Sequence, residues 1–286
     1  MQKLFNKILV PVDFSQQSIK ALEKAVELAN NYSCDIVIIH VVTIAPFAAI
    51  SVSDGHFTMP IPAINQQNEL QYRINRLINK ISPLLNEKKI ISRILTGPLD
   101  ESLINFILKN EIDLLLIGQK SKFWGRWNMR LNPDKIALRT NIAVITIPAN
   151  KRIIRLLSVL IPVTDFLPVR KLMYGIYMAS VNNAAIKLLS IYSENNIRTS
   201  DYYLKKSYQL IKDNSNITTV MERIESKNIA EGITHYLNNH QADLLILNPA
   251  EQTKMPGIWS SVFDKIIQKY VQTPVLTVNP LKIIRS

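Results

Sequence analysis

The chain has 286 residues, 47% of them hydrophobic and 20% charged, a balance that allows real cores and excludes both a disordered chain and a single small module. The only cysteine, Cys34, excludes an internal disulfide and has no cysteine partner for zinc, so its expected role is that of a small buried apolar residue. The formal charge of +12 is spread evenly, with 17 Lys+Arg against 12 Asp+Glu up to residue 150 and 17 against 10 after it. A nucleic-acid binder more often gathers its charge in a stripe, so polyanion or nucleic-acid binding ranks third among the functional readings. No apolar run approaches the ~18 residues of a membrane span, and Lys7 falls inside what would be the apolar part of a signal peptide. The expectation is a cytoplasmic protein with no membrane partner.

Short, nearly uninterrupted apolar runs near 6–12, 34–42, 90–95, 113–118 and 142–148 read as strands buried on both faces of a parallel sheet. Amphipathic stretches lie between them. Ser15 is placed to cap a helix whose apolar face is Ile19, Leu22, Val26 and Ala29. Leu70, Ile74, Leu77, Ile78 and Ile81 mark a second helix, and Leu99, Leu103, Ile104 and Ile107 a third. The segment 45–64, with Pro46, Phe47, Met59, Pro60 and Pro62, has two readings. It is a lid over the sheet's carboxyl end or, with more weight, a loop packed on its own domain or on a subunit interface.

The pattern then repeats. Ile8-Leu9-Val10-Pro11-Val12-Asp13 matches Val159-Leu160-Ile161-Pro162-Val163-Thr164. Ile112 to Gly118 matches Ala242 to Asn248, and Ala143 to Pro148 matches Pro274 to Asn279. The offsets are 151, 130 and 131, so the second copy has lost about twenty residues between its first two matched segments. Two domains are expected, 1–150 and 151–286. The fold class is α/β: two tandem Rossmann-like, doubly wound domains, each a five-stranded parallel sheet with helices on both faces. A ligand in such a sheet sits past the strand ends where strand order reverses, which directs attention to the residues after strands one and four.

Those residues are Pro11-Val12-Asp13-Phe14-Ser15 and Leu115-Leu116-Ile117-Gly118, with His40-Val41 ending strand two. On these motifs, in order and over nearly the whole of both halves, the chain resembles a tandem universal stress protein. The resemblance implies that an adenine nucleotide, where bound, meets Asp13 and Val41. It implies a phosphate loop of the pattern Gly, two residues, Gly, nine residues, Gly, Ser or Thr, whose glycines let backbone N–H groups approach the anion. Here the loop keeps Gly118, places Ser121 at the second glycine, and has Arg130, Leu131 or Asn132 at the third. A β-carbon at such positions blocks the backbone cradle. Lys120, Lys122, Arg126 and Arg130, with Phe123, Trp124 and Trp127, could supply side-chain cations instead; packing of the tryptophans on the other half or on a partner chain has the greater weight. The second half departs further, with Thr164 for the aspartate, Asn248 and Glu251 for the first two glycines, and Ser260 and Ser261 as a remnant of the final Gly-Ser.

Neither a nucleophile elbow nor a complete phosphate loop ending in Gly-Lys-Ser/Thr occurs, so the expected protein is not an enzyme, with weak ATP hydrolysis as the upper bound. The histidines His40, His56, His235 and His240 indicate no metal site, with His235 and His240 read as lying on one helix and His40 as a core histidine. Two leading functions remain: a non-catalytic stress protein acting through unidentified protein partners with eroded nucleotide sites, and an adenine-nucleotide (ATP or AMP) sensor using the first half alone. No cofactor is required by the first. The two halves forming a pseudo-dimer leave monomer and homodimer equally open.

Overall fold

The computed structural model describes residues 3–42, 51–53, 56–58, 64–119, 131–148, 155–249 and 273–280, with backbone alone for 51–53, 56–58 and 64–66. The first half runs β1 (Lys7–Pro11), α1 (Gln16–Tyr32), β2 (Asp35–Val42), β3 (Ser51–Ser53), β4 (His56–Thr58), α2 (Ile64–Ile81), β5 (Ile90–Thr96), α3 (Leu99–Lys109), β6 (Leu114–Gly118), α4 (Pro133–Thr140) and β7 (Ala143–Ile147). The second runs β8 (Ser158–Val163), α5 (Val169–Asn182), β9 (Ala185–Tyr192), α6 (Ile197–Asn214), β10 (Thr219–Glu225), α7 (Ile229–Asn239), β11 (Leu244–Leu247) and β12 (Val275–Thr277).

The main sheet has ten strands in the order β10-β9-β8-β11-β12-β7-β6-β1-β2-β5. Every neighbouring pair is parallel except β12 and β7, which run antiparallel with Leu276 opposite Ile145. The last strands of the two halves therefore join them into one sheet. Each half doubles back at its first strand, between β1 and β6 and between β8 and β11, and these are the two points where a crevice can open.

Alternation within the strands divides the core by face. Ile8, Val10, Leu114 and Leu116 point to one side, where they pack with α1, α5 and the second half's Val159 and Ile161 in a core continuous across both halves. Leu9, Leu115 and Ile117 point to the other, into a core of the first half with α3 and α4. Leu160, Leu245 and Leu247 do the same with α7 in the second. On the shared side, Phe5 stacks on Tyr174 at 5.8 Å and meets Tyr32 and Tyr177 edge-on at 5.5 and 5.3 Å. Asn182 donates to the Tyr32 hydroxyl at 2.9 Å, and Arg170 donates across the seam to the Asn141 carbonyl and within its own half to that of Asn279.

Three details differ from the sequence reading. Ile19 is only half-buried, because α1 turns Ala21, Ala25 and Ala29 to the sheet and lets it approach closely. The segment 45–64 contains an antiparallel hairpin, β3 with β4, in place of a plain loop. It lies in the 21 residues between Val42 and Ile64, where the second half needs only four between Tyr192 and Ile197, and that difference accounts for most of the shift in offset. His240 caps the end of α7 and stacks on Tyr236 at 4.3 Å, outside the helix that carries His235.

No helix among the described residues is long and apolar enough to cross a membrane. None of their His, Cys, Asp and Glu side chains form a group of three or more that could hold a metal ion.

Candidate functional site

In the first half the crevice is edged by the turn from β1 to α1, the end of β2 and the end of β6. Asp13 is exposed in the turn, and its Oδ1 accepts from the Ser15 amide at 3.1 Å and the Ser15 hydroxyl at 2.5 Å. Ser15 in turn caps α1 by accepting from the Ser18 amide at 3.3 Å. Between them Phe14 stands at φ 62°, a left-handed backbone that a bulky side chain adopts at a cost. Its ring meets two partners: the His40 ring lies 5.0 Å away, tilted by 38°, and the Arg73 guanidinium sits 4.0 Å over it from α2. His40 Nδ1–H donates to the Val12 carbonyl at 2.7 Å, tying strand two to the turn. Val41 is partly buried in β2 and packs towards the α3 and α4 core.

Gly118 closes the other edge. A β-carbon at this position would stand 2.2 Å from the Gln17 carbonyl oxygen and 3.0 Å from the Ser18 nitrogen. The end of β6 thus lies directly against the first turn of α1, and the glycine is demanded by packing before any ligand is considered. Lys120, Ser121, Lys122, Arg126 and Arg130, with Trp124 and Trp127, lie outside the described residues, as do Glu251, Ser260 and Ser261 in the second half.

The second crevice is built differently. With the helix C-caps Ser33 and Asn183 taken as equivalent, an offset of 150, α5 begins three residues later than α1. That withdraws the helix turn that presses on Gly118 and makes room for Asn248. Thr164 and Asn248 are 5% and 2% exposed, and Thr164 Oγ1 and Asn248 Oδ1 have no hydrogen-bond partner among the described residues. Lys171 is wholly buried where the same offset puts Ala21 in the first half, and its Nζ donates to the Pro162 carbonyl at the end of β8. An exposed carboxylate at the first crevice is matched at the second by the buried side chains of Thr164, Asn248 and Lys171.

The structure brings Asp13, Val41 and Gly118 to one crevice and Thr164 and Asn248 to the other. The Phe14, His40 and Arg73 stack was not foreseen as a unit. Phe14 and His40 stood in the quoted motifs, but Arg73 lies on the polar side of α2 and gave no signal.

A doubly wound sheet with its open ends at two reversal points defines a Rossmann-like α/β protein. Residues 4–148, just over half of the chain, match the universal stress protein family, and the chain belongs to that family. It is 23% identical over 123 residues to a universal stress protein of Methanocaldococcus jannaschii, a stretch covering 42% of this chain and 68% of that one. The fold is similar to that of a universal stress protein from Archaeoglobus fulgidus, with a TM-score of 0.67 and 17% identity over 96% of each chain. It is also similar to a putative universal stress protein from Pseudomonas aeruginosa, with a TM-score of 0.63 and 11% identity over 97% of this chain and 94% of that one.

Proposed function

We propose that this protein is a non-catalytic stress-response protein that acts through contacts with other proteins, its nucleotide crevices eroded in both halves. Family membership supports the stress-response part. The observation that carries the rest is the contact of Gly118 with Gln17: the one family-type loop glycine retained in the first half has a packing reason to be there. The second and third loop glycines are absent, and the second crevice holds Thr164 and Asn248 in place of aspartate and glycine. No cofactor is needed for this role, and both monomer and homodimer are compatible with it.

A second reading, an adenine-nucleotide sensor confined to the first half, is favoured by Asp13. Its exposed carboxylate is oriented by Ser15 at the crevice mouth, where it could accept from a ribose hydroxyl. In that reading Asp13 and Val41 would hold the nucleoside, and the phosphates would depend on side chains. Thermal melting with and without ATP separates the two. A ligand at about 100 times its Kd adds about 2.7 kcal/mol to folded-state stability. The first reading expects no rise in Tm at millimolar ATP; a rise that Asp13→Ala abolishes would replace it with the second.

A further inference from the structure

At the carboxyl ends of β9 and β10, one strand away from the β8 and β11 crevice, the second half holds a pocket of about 330 Å³ lined by Ser190, Tyr192, Ile197, Arg198, Asp201 and Arg223. Three cations and one carboxylate gather there. Arg223 donates to Asp201 Oδ1 from Nε at 3.1 Å and from Nη2 at 2.5 Å, while Lys205 Nζ lies 2.7 Å from Oδ2. Both carboxylate oxygens are thereby engaged, and Asp201 serves to aim Arg223. Arg198 has no hydrogen bond or ion pair among the described residues, and the first turn of α6 has no acidic residue. A cation in the first turn of a helix stands at the unfavourable end of its dipole. An anion placed between Arg198 and Arg223 would reverse that sign.

The lining also includes apolar and neutral groups. Tyr192 and Ile197 line it, and the buried hydroxyls of Ser190 and Ser200 are bonded to each other at 2.6 Å. Among the described residues the first half has no counterpart. In its edge strand Ile94 stands opposite His40 as Arg223 stands opposite Ser190, and the position of Asp201 is held by Gln71, which donates to Asn75.

We propose that this pocket binds a small phosphate monoester, with the phosphate between the guanidinium groups of Arg198 and Arg223 and the apolar part of the ester on Tyr192 and Ile197. Guanidinium groups match the geometry of phosphate oxygens, which favours this ligand class over a simple halide. The second half would then carry a binding activity of its own, apart from any nucleotide at Asp13.

Titration calorimetry of the whole chain with phenyl phosphate, and separately with inorganic phosphate, tests it. The expected result is one site, weakened at least about tenfold by Arg198→Gln and by Arg223→Gln, as loss of a charge-assisted hydrogen bond implies. Asp13→Ala should leave it unchanged, and inorganic phosphate should bind more weakly than the ester. Arg198 has no hydrogen bond or ion pair to lose among the described residues, so Arg198→Gln stays informative even where Arg223→Gln lowers Tm. Absence of binding at about 10 mM, a Kd weaker than this ligand class needs to matter, would overturn the proposal. So would binding that Arg198→Gln leaves intact, or binding lost in Asp13→Ala.

Discussion

Gly118 lies so close to Gln17 that a single added methyl group would meet the Gln17 carbonyl oxygen at 2.2 Å. The obstacle is helix backbone, which cannot swing aside. Gly118→Ala is therefore expected to destabilise the fold by about 2 kcal/mol or more, as overpacking does. Asn248→Ala, at the matched position, removes a buried oxygen that has no hydrogen-bond partner among the described residues and should cost less. Urea denaturation of both variants checks the contrast; equal losses would mean that the later start of α5 does not explain Asn248.

Phe5 is fully buried and touches aromatic rings from both halves. Its replacement by alanine should cost about 3–5 kcal/mol. Because one core runs through both halves, the wild-type chain should melt in a single transition by calorimetry and circular dichroism. Two separated transitions in the wild type would show that the seam does not couple them.

Alkaline pH should weaken the fold. Cys34 is buried, donates to the Phe5 carbonyl, and has its thiol pushed from 9.0 to about 11 by burial. A raised folded-state value means that its contribution is complete below the unfolded value and is lost as pH rises through the folded one. Burial also raises Tyr32 and Tyr177, which act in the same direction. Tm is expected to fall between pH 9.0 and about 11, less steeply in Cys34→Ala. An identical slope in that variant would remove Cys34 from the account.

Ser15 has two tasks, capping α1 and fixing Asp13. Ser15→Ala should lower stability by about 1 kcal/mol, the usual value of a lost N-cap. Ser15→Asp, which can still cap but repels the Asp13 carboxylate, should recover less than Ser15→Thr; denaturation midpoints of the three variants decide.

Much of this was legible before any coordinates. The runs around Leu9, Val37, Leu115 and Ile145 are apolar on both sides of the alternation, which only a sheet covered on both faces requires. The three matched segments announced the repeat, and their shifted offset announced that the second half lacks about twenty residues. Other features depend on approach between elements that periodicity does not encode. A lysine in a helix ordinarily faces solvent, yet Lys171 of α5 is wholly buried with its Nζ on the Pro162 carbonyl. Arg73 reaches Phe14 only because α2 packs beside the turn. The reason for Gly118 likewise appears only when β6 and α1 are seen side by side.

The antiparallel pairing of β7 with β12 has a consequence for synthesis on the ribosome. Residues 143–147 can fold against β6 as soon as they emerge, but the strand that covers their other side is encoded at 275–277. Through translation of more than a hundred residues, the nascent first half carries an apolar strand edge of the kind that recruits foreign strands. A ribosome stalled anywhere in the second half would release a product with that edge open, so truncated chains should be more prone to cross-association than the finished protein.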